Sequence, residues 1–410
     1  MASGNGQIQG RESAQSPTPA PRRIVLLGAT GSIGRSTVDL LERDPERFSV
    51  AAVAGGRDVE ALARVARAVR AEFAAIRDES AYKALKAALA GTNIQVAAGR
   101  EAVIEAALRD ADLVVSAIVG AAGVEPTYAA LAAGRDVALA NKECLVCAGV
   151  PFMRAAAEAE VRLLPMDSEH NAIFQALGGE DASRIERMII TASGGPFRTW
   201  SKERIAAASV EEALNHPNWA MGPKITVDSA TLMNKALEVI EARWLFDLRP
   251  EQIEVIIHPE SMIHSFVEFK DGSVVAQLSP PDMRLPIQYA LTYPERVSGP
   301  ARRLNWREMA AWHFEQPDHE TFPALQLGYE VARRGGTCGA VLNAANEAAV
   351  GSFLTGGLAF LDIARVCRDV LQHHHYSAQP TLAELQAVDR WARQEVARWI
   401  ISTHRNETAT

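Results

Sequence analysis

Short apolar runs alternate with amphipathic segments over the first 170 residues of the chain. The runs are IVLL (24–27), VAAVA (50–54), AAI (74–76), QVAA (95–98), LVVSAI (113–118), VALA (137–140) and RLLPM (162–166). Alanine-rich stretches with helical spacing, such as 59–69 and 103–108, separate most of them. Buried strands that alternate with helices form a parallel sheet covered on both faces. The pattern therefore predicts an α/β fold that begins with a doubly wound parallel sheet.

The pattern changes after residue 170. Strand-like segments at 254–257, 265–269 and 273–278 alternate every two residues, and Asp271-Gly272 between the last two favours a hairpin turn. From Thr321 onward the chain is helical, which predicts a C-terminal α-helical bundle after a central α+β domain. The predicted boundaries are a flexible tail at 1–21, a nucleotide-binding domain at 22–169, an α+β domain at 170–295, a linker at 296–320 and a bundle at 321–403.

Composition and charge exclude several classes of protein. The 410 residues carry a net charge of −8, whereas non-specific nucleic-acid binding needs a basic surface. The longest uncharged and largely apolar run, 348–361, is short of the roughly 20 residues that a membrane helix needs, so we expect no membrane span. Four cysteines are too few for a disulfide framework, and the first 20 residues lack the apolar stretch of a secretory signal. The expected location is the cytoplasm.

A glycine-rich turn, Gly28-x-x-Gly31-x-x-Gly34, follows the first predicted strand and opens the first predicted helix. Glycines allow a pyrophosphate to approach the backbone, and the helix start offers free N–H groups, so the turn predicts a Rossmann-like dinucleotide site. A plain tight turn is the alternative. Sites for NAD carry an acid at the end of the second strand, but Arg57 follows that strand here. A guanidinium suits a 2′-phosphate, which favours NADPH, although Asp58 stands beside it.

Acidic residues in two distant segments suggest a metal site. Asp167 and Glu169 follow the last strand of the first region, and residues two apart in an extended segment point the same way. An exposed acidic loop is the alternative. Asn234 and Lys235 precede Glu238 by four and three residues, so all three share one helical face. Oxygen ligands without histidine favour Mg²⁺ or Mn²⁺.

Two loops carry further candidates. The segment Ser193-Gly-Gly-Pro196 follows a strand-like run, and its free N–H groups suit an anion, with a simple turn as the alternative. The segment 216–222 (HPNWAMG) has an aromatic side chain and a terminal glycine, a composition that suits a lid over a site. A Trp219 that anchors the loop to the core is an equal alternative.

The chain closely resembles the 1-deoxy-D-xylulose 5-phosphate reductoisomerase family. The resemblance extends from residue 24 to about 400 and rests on stretches that occur in the family's order. They are GATGSIG (28–34), ALANKE (138–143), MDSEHNAIFQ (166–175), SGGPF (193–197), HPNWAMG (216–222), TVDSATLMNKALEVIEARWLF (226–246), HPESMIHS (258–265) and LNAANEAAV (342–350). This resemblance implies a homodimer that needs NADPH and one Mg²⁺ or Mn²⁺ per subunit.

The resemblance also implies roles for individual residues. The implied metal ligands are Asp167, Glu169 and Glu238. The implied substrate contacts are Lys142, Ser168, Glu169, Ser193, His216, Ser229, Asn234, Lys235 and Glu238, of which Ser193, Ser229, Asn234 and Lys235 would hold a phosphate and Lys142, Glu169 and His216 would be catalytic. The implied NADPH contacts are Thr30, Gly31, Ser32, Ile33, Gly56, Arg57, Asp58, Asn141, Glu143 and Gly222. The family often has Lys and Asn where this chain has Arg57 and Asp58.

The implied activity is the rearrangement and reduction of 1-deoxy-D-xylulose 5-phosphate to 2-C-methyl-D-erythritol 4-phosphate, in the non-mevalonate isoprenoid pathway. Two other functions remain open. One is an NADPH-dependent dehydrogenase of the homoserine or semialdehyde type, which would not need the two acidic segments. The other is a catalytically dead NADPH-binding sensor, which would be expected to have lost metal ligands. Neither a nucleic acid nor a membrane is an expected partner.

Overall fold

A computed structural model describes residues 20–219, 221–307 and 311–407. This part of the chain forms two β-sheets and sixteen α-helices. None of the described helices is both long enough and apolar enough to cross a membrane. The tail predicted at 1–21 lies outside the described residues except for Ala20 and Pro21, and the predicted domain boundaries remain predictions.

The seven predicted strands of the first region form one parallel sheet. They are β1 (Arg22–Leu27), β2 (Phe48–Gly55), β3 (Phe73–Ile76), β4 (Gln95–Ala98), β5 (Leu113–Ser116), β6 (Asp136–Leu139) and β7 (Leu163–Pro165). Their order is β4-β3-β2-β1-β5-β6-β7, and every pairing is parallel. The order reverses direction at β1, so the glycine turn after β1 lies at the switch point where doubly wound sheets bind ligands.

Six helices connect these strands and cover both faces of the sheet. They are α1 (Ser32–Arg43), α2 (Val59–Ala68), α3 (Tyr82–Ala88), α4 (Arg100–Ala107), α5 (Val124–Ala132) and α6 (Glu143–Glu158). In β1, Ile24 and Leu26 pack into the core beneath α1 and α2, whereas Val25 and Leu27 pack into the core beneath α4 to α6. Both faces of the strand are therefore buried, which explains why its sequence is apolar without alternation.

The region after β7 builds a second, mixed sheet. Its elements are α7 (Ser168–Leu177), β8 (Ile185–Ala192), α8 (Lys202–Ala206), α9 (Val210–Leu214), α10 (Pro223–Ala230), α11 (Met233–Leu245), β9 (Ile253–Ile257), β10 (Ile263–Phe269), β11 (Val274–Leu278) and α12 (Arg284–Thr292). The strand order is β11-β10-β8-β9, and β10 and β11 form the predicted antiparallel hairpin. Helix α12 returns to the first sheet, where Ile287 and Leu291 join the core beneath α1.

The C-terminal region is helical, as predicted. Its helices are α13 (Ala324–Arg334), α14 (Cys338–Leu354), α15 (Asp362–His373) and α16 (Leu382–Glu407). These helices share one core with α11 and the second sheet. The described residues between α12 and α13 form neither a helix nor a longer strand, only a single bridge between Glu315 and Ile257. The four cysteines are all free and buried.

A close contact between α6 and α11 brings the first sheet and the second region together. A Cβ on Gly149 would lie 2.3 Å from the indole of Trp244, so only glycine at this position of α6 allows the ring to pack there. Because α6 begins next to Lys142 and α11 carries Glu238, this contact helps to place the two ends of the candidate site beside each other.

Candidate active site

The glycine turn after β1 forms the floor of a cavity of about 720 Å³. Gly28 has a φ of +86°, and a Cβ on it would lie 2.3 Å from the carbonyl oxygen of Ala117. A Cβ on Gly34 would lie equally close to the carbonyl oxygen of Gly28. Helix α1 begins at Ser32 without a side-chain cap, so its first N–H groups stay available to an anion. The turn therefore has the shape and polarity of a pyrophosphate cradle.

Some of the predicted cofactor residues at the sheet edge line this cavity, whereas Arg57 and Asp58 do not. Thr30, Gly31 and Gly56 line it, and Ser32 and Ile33 are the first two residues of α1. After β2, the carboxylate of Asp58 accepts a hydrogen bond from Ala61 N at 2.9 Å and caps α2. The Asp58 carboxylate thus has a structural role beside Arg57, because it accepts a hydrogen bond from the first turn of α2.

The other predicted cofactor residues meet at the start of α6. Asn141 donates from Nδ2 to the carbonyl oxygen of Gly120 at 2.9 Å and accepts from Cys144 N at 3.2 Å, which fixes the loop after β5. The carboxylate of Glu143 accepts from Lys224 Nζ at 3.0 Å. Lys224 lies two residues after Gly222, the residue before α10. Residues from 141–143 and 222–224 are thus neighbours in space.

Three predicted metal ligands come together between the two regions. Oxygen atoms of Asp167, Glu169 and Glu238 all lie within 4.8 Å of one another. The expectation of an extended segment at 167–169 is wrong, because α7 begins at Ser168 and places Glu169 in its first turn. Asp167 precedes the helix in an extended conformation, so a strand-to-helix turn brings its carboxylate to that of Glu169.

Two buried lysines lie among these carboxylates. Lys142 Nζ contacts the carboxylate of Asp167, and it lies 3.1 Å from Glu238 Oε1 and 2.9 Å from Asn234 Oδ1. Lys235 Nζ contacts Glu169 and lies 2.7 Å from Glu238 Oε2. The predicted helical face of Asn234, Lys235 and Glu238 is confirmed, since all three point into this cluster.

The charges and donor atoms of the cluster fit a hard divalent cation. Three carboxyl groups lie beside two ammonium groups, and the ligand atoms are oxygens. Although burial alone would raise it, the ammonium of Lys142 holds the pKa of Asp167 well below its ordinary value. Burial and the neighbouring Glu238 raise the pKa of Glu169 to about 7. Three carboxylates in such a small volume are stabilised by cations, which the lysines supply in part.

The predicted anion-binding loop at 193–196 and the predicted lid segment at 216–222 also meet. Ser193 Oγ lies 3.0 Å from His216 Nε2 and accepts from Gly195 N at 3.2 Å. A Cβ on Gly195 would lie 2.8 Å from the carbonyl oxygen of Ser229, so the turn after β8 packs directly against the end of α10. Ser193 and His216 are therefore in contact, and Ser229 lies beside the same turn.

The hydrogen bonds of His216 identify its tautomer. Its Nδ1 accepts from the backbone N–H groups of Asn218 and Trp219 at 3.1 and 3.0 Å, so the ring proton is on Nε2 and is donated to Ser193. Burial and the charge of Lys235 lower the pKa of His216 to about 4. His216 is thus a neutral donor that orders its own loop. Ala220 lies outside the described residues, and the lid remains a prediction.

Sequence reasoning missed two buried polar residues behind the cluster. His170 Nε2 donates to the carbonyl oxygen of Glu238 at 3.0 Å, and its Nδ1 lies 3.4 Å from Glu241 Oε2. Burial lowers the pKa of His170 to about 4, so its ring is neutral near pH 7, and burial together with the charge of Asp167 raises the pKa of Glu241. An acid three residues after Glu238, among apolar neighbours, is a signal that was available in the sequence.

Three family models match the chain. Their descriptions are 1-deoxy-D-xylulose 5-phosphate reductoisomerase (residues 24–149), the C-terminal domain of that enzyme (163–246) and DXP reductoisomerase C-terminal domain (278–395). The 1-deoxy-D-xylulose 5-phosphate reductoisomerase of Bradyrhizobium diazoefficiens is 54% identical over 353 residues, which are 86% of this chain and 87% of the relative. That of Sinorhizobium medicae is 51% identical over 382 residues, 92% of this chain and 98% of the relative.

Solved structures of 1-deoxy-D-xylulose 5-phosphate reductoisomerases are similar to this chain over more than nine-tenths of its length. The 1-deoxy-D-xylulose 5-phosphate reductoisomerase from Zymomonas mobilis, solved in complex with NADPH, has a TM-score of 0.88 at 46% identity and covers 93% of this chain and 99% of its own. A DOX-P reductoisomerase in complex with NADPH, fosmidomycin and magnesium has a TM-score of 0.88 at 38% identity, covering 92% and 98%.

Proposed function

The chain belongs to the 1-deoxy-D-xylulose 5-phosphate reductoisomerase family, and on that premise we propose that it converts 1-deoxy-D-xylulose 5-phosphate to 2-C-methyl-D-erythritol 4-phosphate. The reaction consumes NADPH, needs Mg²⁺ or Mn²⁺ and serves the non-mevalonate isoprenoid pathway. The observation that carries the proposal is the cluster of Asp167, Glu169 and Glu238 with two lysines. The glycine turn that lines a cavity and the contact between Ser193 and His216 support it.

Asp167, Glu169 and Glu238 would hold the cation, and Thr30, Gly31, Gly56 and Arg57 would hold NADPH. When bound, the cation supplies Lewis-acid polarisation of the substrate's ketone and hydroxyl oxygens, and the nicotinamide supplies a hydride. The protein supplies the fixed geometry. Lys142 and Glu238 come from different regions of the chain. A substrate oxygen bound at this cluster would therefore be contacted by residues of both regions.

The remaining roles follow from charge and hydrogen bonding. Ser193, Ser229, Asn234 and Lys235 would hold the phosphate, which fixes the sugar without taking part in bond breaking. His216 donates from Nε2 toward Ser193, so as a neutral donor it positions the phosphate end of the substrate. Lys142 presents a compact ammonium group to a substrate oxygen. Ser168 lies beside Glu169, which would accept a hydroxyl proton at its carboxylate.

The three-carboxylate cluster also favours this function over the two alternatives. A hydride transfer to a semialdehyde needs no site of this kind, and a sensor that only binds NADPH has no use for two buried lysines next to three acids. Burying five ionisable groups together carries a desolvation cost, and a function that uses these groups accounts for their presence. The cluster therefore favours a metal-dependent enzyme that acts on an oxygen-rich anionic substrate.

The test is an assay of the purified protein with the phosphosugar, NADPH and Mg²⁺, in which absorbance at the nicotinamide band is followed and the product is identified by mass spectrometry. We expect NADPH oxidation that depends on both the phosphosugar and the cation and that stops on addition of a chelator. Turnover of homoserine or a semialdehyde instead would favour the dehydrogenase. NADPH binding without turnover of any of these substrates would favour the sensor.

We also propose that the enzyme acts as a homodimer. The edge strand β11 of the second sheet leaves Val274 and Val275 exposed, and an exposed apolar edge of this kind favours pairing with another chain. Light scattering during gel filtration should give twice the 44.3 kDa mass of one chain. A mass of one chain at micromolar concentration would contradict the proposal.

A further inference from the structure

Two neighbouring strands of the first sheet end in the same dipeptide. Arg57-Asp58 follows β2 after Gly56, and Arg77-Asp78 follows β3 directly. The strands pair in parallel with Gly55 opposite Ile76. Beyond the strands, Arg77 N donates to the carbonyl oxygen of Gly55 at 2.8 Å, and Asp78 N donates to that of Gly56 at 3.1 Å. The backbone therefore holds the two dipeptides side by side at the edge of the sheet.

Both aspartates are occupied by the helix starts that follow them. Asp58 Oδ1 accepts from Ala61 N at 2.9 Å and caps α2. Asp78 Oδ1 accepts from Ser80 N at 3.0 Å and from Ser80 Oγ at 2.6 Å, at the start of the short 3-10 turn 79–81. Both carboxylates thus accept hydrogen bonds at the start of a helical turn.

Arg57 and Arg77 differ from the two aspartates in that their side chains have no charged partner among the described residues. Arg77 lines the cavity above the glycine turn together with Thr30, Gly31 and Gly56. In the described ranges, no carboxylate oxygen lies within 4.0 Å of the guanidinium nitrogens of Arg57 or Arg77. Arg100, which lines the same cavity, differs because its Nε lies 2.7 Å from Glu125 and its Nη1 lies 2.9 Å from Glu101. Arg57 and Arg77, which follow neighbouring strands, thus have no carboxylate partner among the described residues, and Arg77 also lines the cavity.

We propose that Arg77 is a second anion-binding residue of the cofactor site, which together with Arg57 holds the 2′-phosphate of NADPH and sets the preference for NADPH over NADH. This inference rests on the proposed function. A 2′-phosphate lies at the carboxyl end of the second strand in folds of this class. Two guanidinium groups suit the nearly double negative charge of a phosphate monoester better than Arg57 alone does.

The test measures binding directly, by titrating the full-length protein with NADPH and with NADH and following nucleotide fluorescence. Arg77→Ala should raise the Kd for NADPH by about tenfold, the effect of one charge-assisted contact, and leave the Kd for NADH within about twofold. Arg77→Lys should recover part of the loss, and competition by 2′,5′-ADP should weaken in parallel. Arg64→Ala, an exposed arginine on α2, removes the same charge nearby and should leave both constants unchanged.

Each other outcome overturns the inference. An equal loss of NADPH and NADH affinity in Arg77→Ala would place Arg77 on the adenosine that both cofactors share. An unchanged NADPH affinity would remove Arg77 from the site. A wild-type protein that binds neither nucleotide would instead refute the proposed function itself, so the two failures are distinguished by the wild-type titration alone.

Discussion

Lys142 and Glu238 form a buried ion pair between the first sheet and helix α11, with Nζ 3.1 Å from Oε1. Their side chains are 7% and 1% exposed. Lys142 also contacts Asp167, so one ammonium group links acids from the end of β7 and from α11. A cation at the three carboxylates would share these acids with the lysine.

Lys142→Met should separate catalysis from metal binding. The variant keeps the volume of the side chain and removes its charge, so we expect kcat to fall by roughly 100-fold or more. Because the ammonium group no longer competes with Mg²⁺ for the carboxylates, the Kd for Mg²⁺ measured by calorimetry should fall. Lys202→Met on the exposed helix α8 is the matched control. Wild-type turnover in Lys142→Met would exclude a catalytic role for the lysine.

Glu238→Gln should abolish the metal site while leaving the cofactor site intact. The substitution keeps the size of the side chain and removes one charge from a hard-cation site, so we expect turnover to fall by orders of magnitude. NADPH affinity, measured by fluorescence titration, should change little, because the glycine turn follows β1 in the first sheet whereas Glu238 lies on α11. Glu203→Gln on the surface of α8 serves as the control. Near-normal turnover without added metal would refute the three-carboxylate site.

His216→Asn should affect substrate binding more than the chemical step. Asn places an acceptor near the position of Nδ1, which retains the loop contacts, but it does not reach Ser193. We expect KM for the phosphosugar to rise by about tenfold with a smaller change in kcat.

The pH profile gives an independent check of the same residue. Because burial and Lys235 lower the pKa of His216 to about 4, the ring is already neutral at pH 6 and stays so as the pH rises. The variant and the wild type should therefore have kcat/KM profiles of the same shape between pH 6 and 8. A limb near pH 6.5 that disappears in His216→Asn would show that the histidine titrates during catalysis.

Gly149→Ala should destabilise the protein through the contact between α6 and α11. The added Cβ would lie 2.3 Å from the indole of Trp244, and overpacking of this kind costs about 1–3 kcal/mol. Gly351→Ala on α14 is the matched control, since its Cβ would meet nothing within 4 Å and should raise stability by about 0.5–1 kcal/mol. Both changes are measured by denaturant unfolding. Equal stabilisation by both substitutions would contradict the packing described for Trp244.

The sequence by itself determined the strands of the first sheet and predicted that they pair in parallel. It also determined the helical face of Asn234, Lys235 and Glu238, because neighbours three and four apart share a face whatever the rest of the chain does. These are local properties, in which side-chain periodicity and backbone geometry are enough. The extended segment expected at 167–169 was a local error, because α7 begins at Ser168.

Only the tertiary structure decided which faces meet. Lys142 and Glu238 are 96 residues apart, and Glu143 and Lys224 are 81 residues apart, so neither contact leaves a trace in local periodicity. Which residues meet depends on how α6 and α11 pack against each other. That packing depends on Gly149 and Trp244, neither of which was a candidate site residue in the sequence. A pattern along the chain shows which side of an element is buried, but the partner of that side is fixed by the shapes of all the elements packed together.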